Sequence, residues 1–286
     1  MAADSKNTQQ SRGIQRILVA LDASSASLSA LQNAVELAAG LEAELIGLYV
    51  EDHNLLRLAQ LPLAREVTAF SPALRRIQSV EIERQLRAQA AELRRVVSRI
   101  CGERNVAWQF KVSRGAVAAE LLAAAVEADL TVIGKLGRSF PGTRRTGSIA
   151  RAIAARRPGM TLVFQSGGRL TVPVILLYDG SRHSAKAVET AGILTRIHDG
   201  KLTVLVVAES GEEARRLQLE VINRLADHKL GADFRLLVGR SITGIAQRIH
   251  MEGFGPVVIP CDAEEDGGEA LCALLDEITN PVLLVR

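Results

Sequence analysis

Val132-Ile-Gly-Lys-Leu-Gly-Arg-Ser-Phe-Pro-Gly-Thr-Arg-Arg-Thr-Gly-Ser-Ile149 is the stretch whose reading decides the fold. An apolar run of strand type, Leu130 to Ile133, opens into Gly134. Gly137 follows after two residues, and nine residues later Gly147-Ser148 begins an apolar-periodic helix. This order suits a phosphate ligand, because glycines let a backbone approach closely and the amides at a helix N-terminus attract an anion. Arg138, Arg144 and Arg145 add positive charge to the same loop. Ser148 can cap the helix or donate its hydroxyl to a phosphate. The spacing is neither Gly-x4-Gly-Lys-Ser/Thr nor Gly-x-Gly-x-x-Gly, so the P-loop and dinucleotide fingerprints lose their main support.

Outward from this stretch, strands and helices alternate. Arg16 to Asp22 is a nearly continuous apolar strand ending in a carboxylate, as expected of a parallel strand buried on both faces. A helix from Ser25 to Gly40 follows, and then a second strand, Glu44 to Val50. A long crossover comes next. Its first part, Leu55 to Ser71, reads as irregular or partly helical between Pro62 and Pro72, and its second part, Leu74 to Ile100, reads as a strong helix. Val106 to Val112 is the third strand, Gly115 to Val126 a helix, Leu130 to Ile133 the fourth strand, Gly147 to Ala155 a helix, and Met160 to Gln165 the fifth strand. Such alternation implies a three-layer α/β domain with a parallel sheet.

After Ser166-Gly167-Gly168 the pattern restarts. Val172 to Tyr178 followed by Asp179-Gly-Ser181 echoes the first strand, its aspartate and its serine. Val257 to Ile259 echoes the fourth strand and Val282 to Val285 the fifth, so the chain reads as an internal duplication, with domains at 14–166 and 171–286. The second copy has lost most of the crossover. Where phosphates would sit it carries Asp262, Glu264, Glu265 and Asp266, whose charge repels them.

The Gly-x2-Gly-x9-Gly-Ser spacing at the end of a fourth strand resembles the signature of the ATP-binding branch of the universal stress protein family, and the likeness covers Arg16 to Arg286 as a tandem member. It implies two three-layer α/β/α domains, each a five-stranded parallel sheet of order 3-2-1-4-5, adenine nucleotide alpha hydrolase-like. Ligands in such sheets occupy the crevice where strand order reverses. By the resemblance, Ala20, Leu21 and Asp22 lie along adenine and ribose, Val50 meets the base, and Ile133 and Gly134 line the ribose and α-phosphate. Gly137, Arg138, Gly147, Ser148 and Ile149 then hold the phosphates of ATP, accompanied by magnesium. Asp22 is read first as a ligand contact, with capping of a neighbouring loop as its competing role, and Lys135 is as open to solvent as to a phosphate. The family's habit of pairing through last strands implies that the two copies pair within one chain, with a homodimer and a protein partner left open.

Composition narrows the alternatives. Residues 1–168 hold 22 Lys+Arg against 15 Asp+Glu, whereas residues 169–286 hold 13 against 17, a balance consistent with an anionic ligand in the first half and equally with arginines on a solvated helix face. Aromatics at 3% offer little for stacking on single-stranded nucleic acid, and acidic residues (Glu81, Glu83, Glu92) interrupt the Arg75-Arg76 and Arg94-Arg95 pairs, so no nucleic-acid partner is expected. Cys101, Cys261 and Cys272 lack metal-ligand spacing and read as reduced, buried thiols. No apolar run suffices to span a bilayer, and residues 1 to 13 lack the apolar stretch of a signal peptide; the expectation is a cytoplasmic protein without membrane insertion. No catalytic residue or metal site stands out near the loop. A regulatory nucleotide-binding module is therefore favoured over an enzyme, with slow ATP hydrolysis and a nucleotide-free scaffold as the alternatives.

Overall fold

A computed structural model describes residues 13–60, 65–68, 71–76, 79–135, 147–156, 159–164, 169–198, 200–239, 241–261 and 268–286. The first half runs β1 (Arg16–Leu21), α1 (Ser25–Leu41), β2 (Glu44–Asp52), α2 (His53–Gln60), β3 (Arg65–Thr68), β4 (Ser71–Arg76), α3 (Ser79–Glu103), β5 (Trp108–Gly115), α4 (Val117–Ala125), β6 (Leu130–Gly134), α5 (Ser148–Arg156) and β7 (Met160–Phe164). The second runs β8 (Val174–Tyr178), α6 (Ser184–Ile197), β9 (Leu202–Ala208), α7 (Gly211–Asp227), β10 (Asp233–Val238), α8 (Ile242–Glu252), β11 (Val257–Pro260), α9 (Glu269–Glu277) and β12 (Val282–Val285).

One ten-stranded sheet carries both halves, in the order β10-β9-β8-β11-β12-β7-β6-β1-β2-β5. Each half is parallel within itself and follows the expected 3-2-1-4-5 order. The two meet where β12 pairs antiparallel with β7, Val282 opposite Val163 and Leu284 opposite Thr161. The last strands of the two halves thus pair inside one chain. β7, β8, β9, β11 and β12 are buried along their whole length, which explains their unbroken apolar runs. On one face a single apolar core extends from Ile17 and Leu31 in the first half to Leu176 and Leu194 in the second. On the other face the two halves keep separate clusters, one around Ile133 and Ile153, the other around Ile249 and Leu275.

Three sequence readings need correction. The helix expected from Leu74 begins at Ser79, and residues 71–76 instead form β4, antiparallel to β3. Pairing with β3 keeps residues 71–76 extended, so the helix starts only beyond them, with Glu81 in its first turn. The third strand is displaced toward Gly115, because β2 extends to Asp52 and β5 follows it in register from Trp108 to Gly115. Gly40 does not end its helix: α1 runs to Leu41 and Glu42 takes the left-handed cap, its amide bonded to Ala38 O. Gly40 serves packing between the halves, since a Cβ there would stand 2.9 Å from Ile197 Cγ2. Beside this contact Asn33, buried in α1, accepts the Leu170 amide at 3.0 Å and anchors the start of the second half.

Candidate functional site

β1 and β6 part at their carboxyl ends. Their pairing covers only Ile17 to Val19 against Leu130 to Val132, whereas β1 stays with β2 as far as Leu21 and Tyr49, and β6 stays with β7 as far as Gly134 and Phe164. The sheet therefore opens a crevice where its strand order reverses. β8 and β11 part in the same way in the second half, beyond Leu176 and Val258. Because β7 and β12 are antiparallel, the two crevices lie at opposite ends of the strands.

The turn from β1 into α1 forms one wall of the first crevice. Asp22 Oδ1 accepts the Ser24 amide at 2.9 Å, and the Asp22 amide donates to Ser27 Oγ at 3.3 Å. Ser24 caps α1 by accepting the Ser27 amide at 3.1 Å. Ala23 between them has φ of 58°, a left-handed conformation that costs an L-residue about 1–2 kcal/mol. The second half repeats the turn with a glycine there: Asp179 Oδ1 accepts the Ser181 amide at 3.0 Å and Ser184 Oγ at 2.8 Å, around Gly180 at φ 73°. The capping role open to Asp22 is thus seen at Asp22 and again at its counterpart Asp179.

Ala20, Val50 and Ile133 come together. Ile133 is buried in the cluster beneath α4 and α5, and half-buried Ala20 and Val50 pack against it at the crevice. Leu21 turns the other way, into the core that contains α1, so only its backbone borders the opening. Gly134 packs under the first turn of α1, where an added Cβ would stand 3.0 Å from Ala26 Cβ and 3.2 Å from the Ser27 nitrogen. Gly137 and Arg138 lie outside the described residues. At the far stem of the loop the Gly147 amide donates to Lys135 O at 2.9 Å. Ser148, Ile149 and Ala150 then open α5 with amides that have no acceptor within the helix. Ser148 and Ile149 are exposed at that end.

Lys135 follows neither of its expected courses. Its side chain is 4% exposed, and Nζ donates to Ile278 O in the second half at 3.2 Å. Burial lowers its pKa and the nearby Asp276 carboxylate opposes that shift. One turn into α5, Arg151 pairs with Asp276 at 2.6 Å. The sequence hid these contacts because both partners are more than a hundred residues away. It also hid two links that brace the crevice from α3. Gln89 Nε2 donates to Asp22 O at 3.4 Å while Gln89 Oε1 accepts the Tyr49 hydroxyl at 3.0 Å. Glu51, buried at the end of β2, accepts Arg114 at 2.7 Å, and Arg114 also lies 3.8 Å from Glu83. A tyrosine in a buried strand was the one available signal, since its hydroxyl requires a partner.

Among the described residues no group of three or more His, Cys, Asp or Glu gathers as a metal site, and no helix is long and apolar enough to cross a membrane. The chain is similar across most of its length to a universal stress protein from Archaeoglobus fulgidus DSM 4304, with a TM-score of 0.72 at 14% identity, covering 95% of this chain and 96% of that one. It is also similar to a candidate universal stress protein from Pseudomonas aeruginosa UCBPP-PA14, with a TM-score of 0.61 at 15% identity, covering 96% and 93%. At such identities the likeness is one of fold. No curated protein matches by sequence. Residues 13–165, however, match the model of the universal stress protein family. That span contains the parted strands, the aspartate turn and both stems of the glycine loop, and with it the chain belongs to the universal stress protein family.

Proposed function

We propose that the first half binds one adenine nucleotide, ATP accompanied by magnesium, and that the chain acts as a regulatory module rather than an efficient catalyst. The observation that carries this reading is the convergence of three apolar side chains with a helix start at one strand-order reversal. Ala20, Val50 and Ile133 form the apolar side of the crevice, suited to a base. Gly134 brings the backbone of β6 close beneath α1, and the amides of Ser148, Ile149 and Ala150 head α5, suited to phosphates. Gly137, Arg138 and Gly147 complete the phosphate loop in this reading, with Leu21 contributing backbone and Asp22 the ribose contact. Magnesium arrives on the phosphates, because no cluster of protein carboxylates gathers among the described residues.

Lys135 argues against efficient phosphoryl transfer, since this cation at the loop's near stem is committed to Ile278 O. The second half, read as a degenerate domain over 171–286, has Pro260 and Cys261 where the first has Gly134 and Lys135, and takes no nucleotide of its own. The test is to denature the purified protein, identify released nucleotide by liquid chromatography, and titrate ATP into stripped protein by calorimetry. About one ATP per chain, lost in a Gly134→Val/Gly147→Val variant that stays folded, is the expected result. Absence of both nucleotide and heat would replace this reading with a nucleotide-free scaffold.

A further inference from the structure

The near stem of the glycine loop is Lys135 and the far stem is Gly147, joined by the Gly147 amide on Lys135 O. Antiparallel pairing of β7 with β12 brings the amino end of β12, and the end of α9 that precedes it, beside these stems. There α9 holds both. Lys135 Nζ donates to the carbonyl of Ile278, the C-cap of α9, where a cation also meets the negative end of the helix dipole. Arg151, one turn beyond Gly147, pairs with Asp276 on the last turn of α9. At the matching position of the second half's own crevice stands Cys261, whose thiol donates to Ile259 O within the same half.

We infer that α9 is a positioning element for the first half's crevice, holding both stems of its loop, so that filling the crevice and seating α9 are coupled. The ligand side of this inference rests on the nucleotide reading above; the grip itself does not. A ligand that orders the stems also favours the docked α9, and by linkage anything that displaces α9 weakens the ligand by the same factor. The second half thereby acts as the arm through which a bound nucleotide is reported.

The experiment compares the full chain with Asp276→Arg, Arg151→Asp and the double charge swap, using hydrogen exchange and ATP titration. Asp276→Arg lies wholly in the second half, yet it is expected to speed exchange in the first turn of α5 and to weaken ATP by up to about fivefold. Arg151→Asp should do the same, and the double swap should restore both in part, which loss of fold would not do, the remaining deficit coming from the swapped cation that then faces Lys135. If Asp276→Arg loosens α9 but leaves α5 exchange as in the native chain, the inference is overturned. Should ATP fail to bind the native chain, the nucleotide reading alone is lost, because the α5 exchange response still decides the positioning.

Discussion

Gly134 at the end of β6 and Ala26 in the first turn of α1 are in close contact: a Cβ on the glycine would lie 3.0 Å from the alanine Cβ, with the Ala26–Ser27 peptide 3.2 Å away. The glycine that the loop spacing assigned to phosphate is therefore first a packing residue. Gly134→Val requires the first turn of α1 to give by a few tenths of an ångström for the β-carbon alone, and overpacking of this kind costs about 1–3 kcal/mol. Urea denaturation should show that loss with or without nucleotide present. An unchanged midpoint would mean that α1 is free to shift. Gly147→Val, at the other stem, should affect nucleotide affinity more than stability.

Asp22 and Asp179 make the same turn, which allows ligand and structural roles to be separated. Asp22→Ala and Asp179→Ala each remove a side-chain acceptor of backbone amide, a loss on the order of 1 kcal/mol apiece, greater at Asp179 because Ser184 Oγ also loses its acceptor. ATP affinity should fall only in Asp22→Ala. Asp22→Asn keeps an oxygen for the turn while removing the charge, so it should be near native in stability. Equal ATP affinity in all three variants would assign Asp22 to the turn alone.

The strand order was legible because buried parallel strands write themselves as apolar runs, and Ile17, Val132 and Leu162 are all fully buried. The crossover was less legible. β3 and β4 pair only with each other, and the Arg65 to Arg76 sequence shows no periodicity of two. At the site, Ala20, Val50 and Ile133 were reachable from strand ends. The role of Gly134 was only half visible, since spacing reveals a need for glycine but not what presses on it. Lys135 was illegible in principle. A lysine between loop glycines reads as a phosphate ligand or a solvent-exposed side chain until the partner strand fixes what lies across the junction.

The cysteines give a test of the common core. Cys101 is fully buried on α3 and burial pushes its thiol up to about 11, so it stays protonated and unreactive near neutrality. Cys261 is also buried, whereas Cys272 on α9 is half-exposed, with its pKa raised chiefly by burial. Titration with a thiol reagent at mildly alkaline pH should modify Cys272 alone in the native chain and all three after denaturation. Early modification of Cys101 would show that α3 leaves the sheet readily. Because Cys272 lies on α9, bound nucleotide should slow its reaction if α9 is coupled to the crevice.

Lys135 sets a pH dependence whose sign follows from its burial. Its folded pKa lies below the ordinary 10.5, because desolvation outweighs the attraction of Asp276. Below the folded value the ammonium is charged in both states and its burial cost is present in full. Between the folded value and 10.5 the unfolded chain holds more protons than the folded one, so the residue's contribution to stability rises with pH. Other groups titrate in the same range, among them Tyr178, raised to about 12 by burial and its bond to Glu220, which acts in the opposite sense. The comparison must therefore be with Lys135→Met, which retains Tyr178 and leaves only Ile278 O to find a new donor. As the pH rises through the folded pKa toward 10.5, the native chain should gain stability relative to Lys135→Met, read as converging or crossing urea midpoints. A constant difference over that range would mean that Lys135 is hydrated in solution and its bond to Ile278 is not kept. The same measurement on Asp276→Asn gives the second half of the argument: without the opposing carboxylate the folded pKa falls further, and the rise in stability with pH begins earlier.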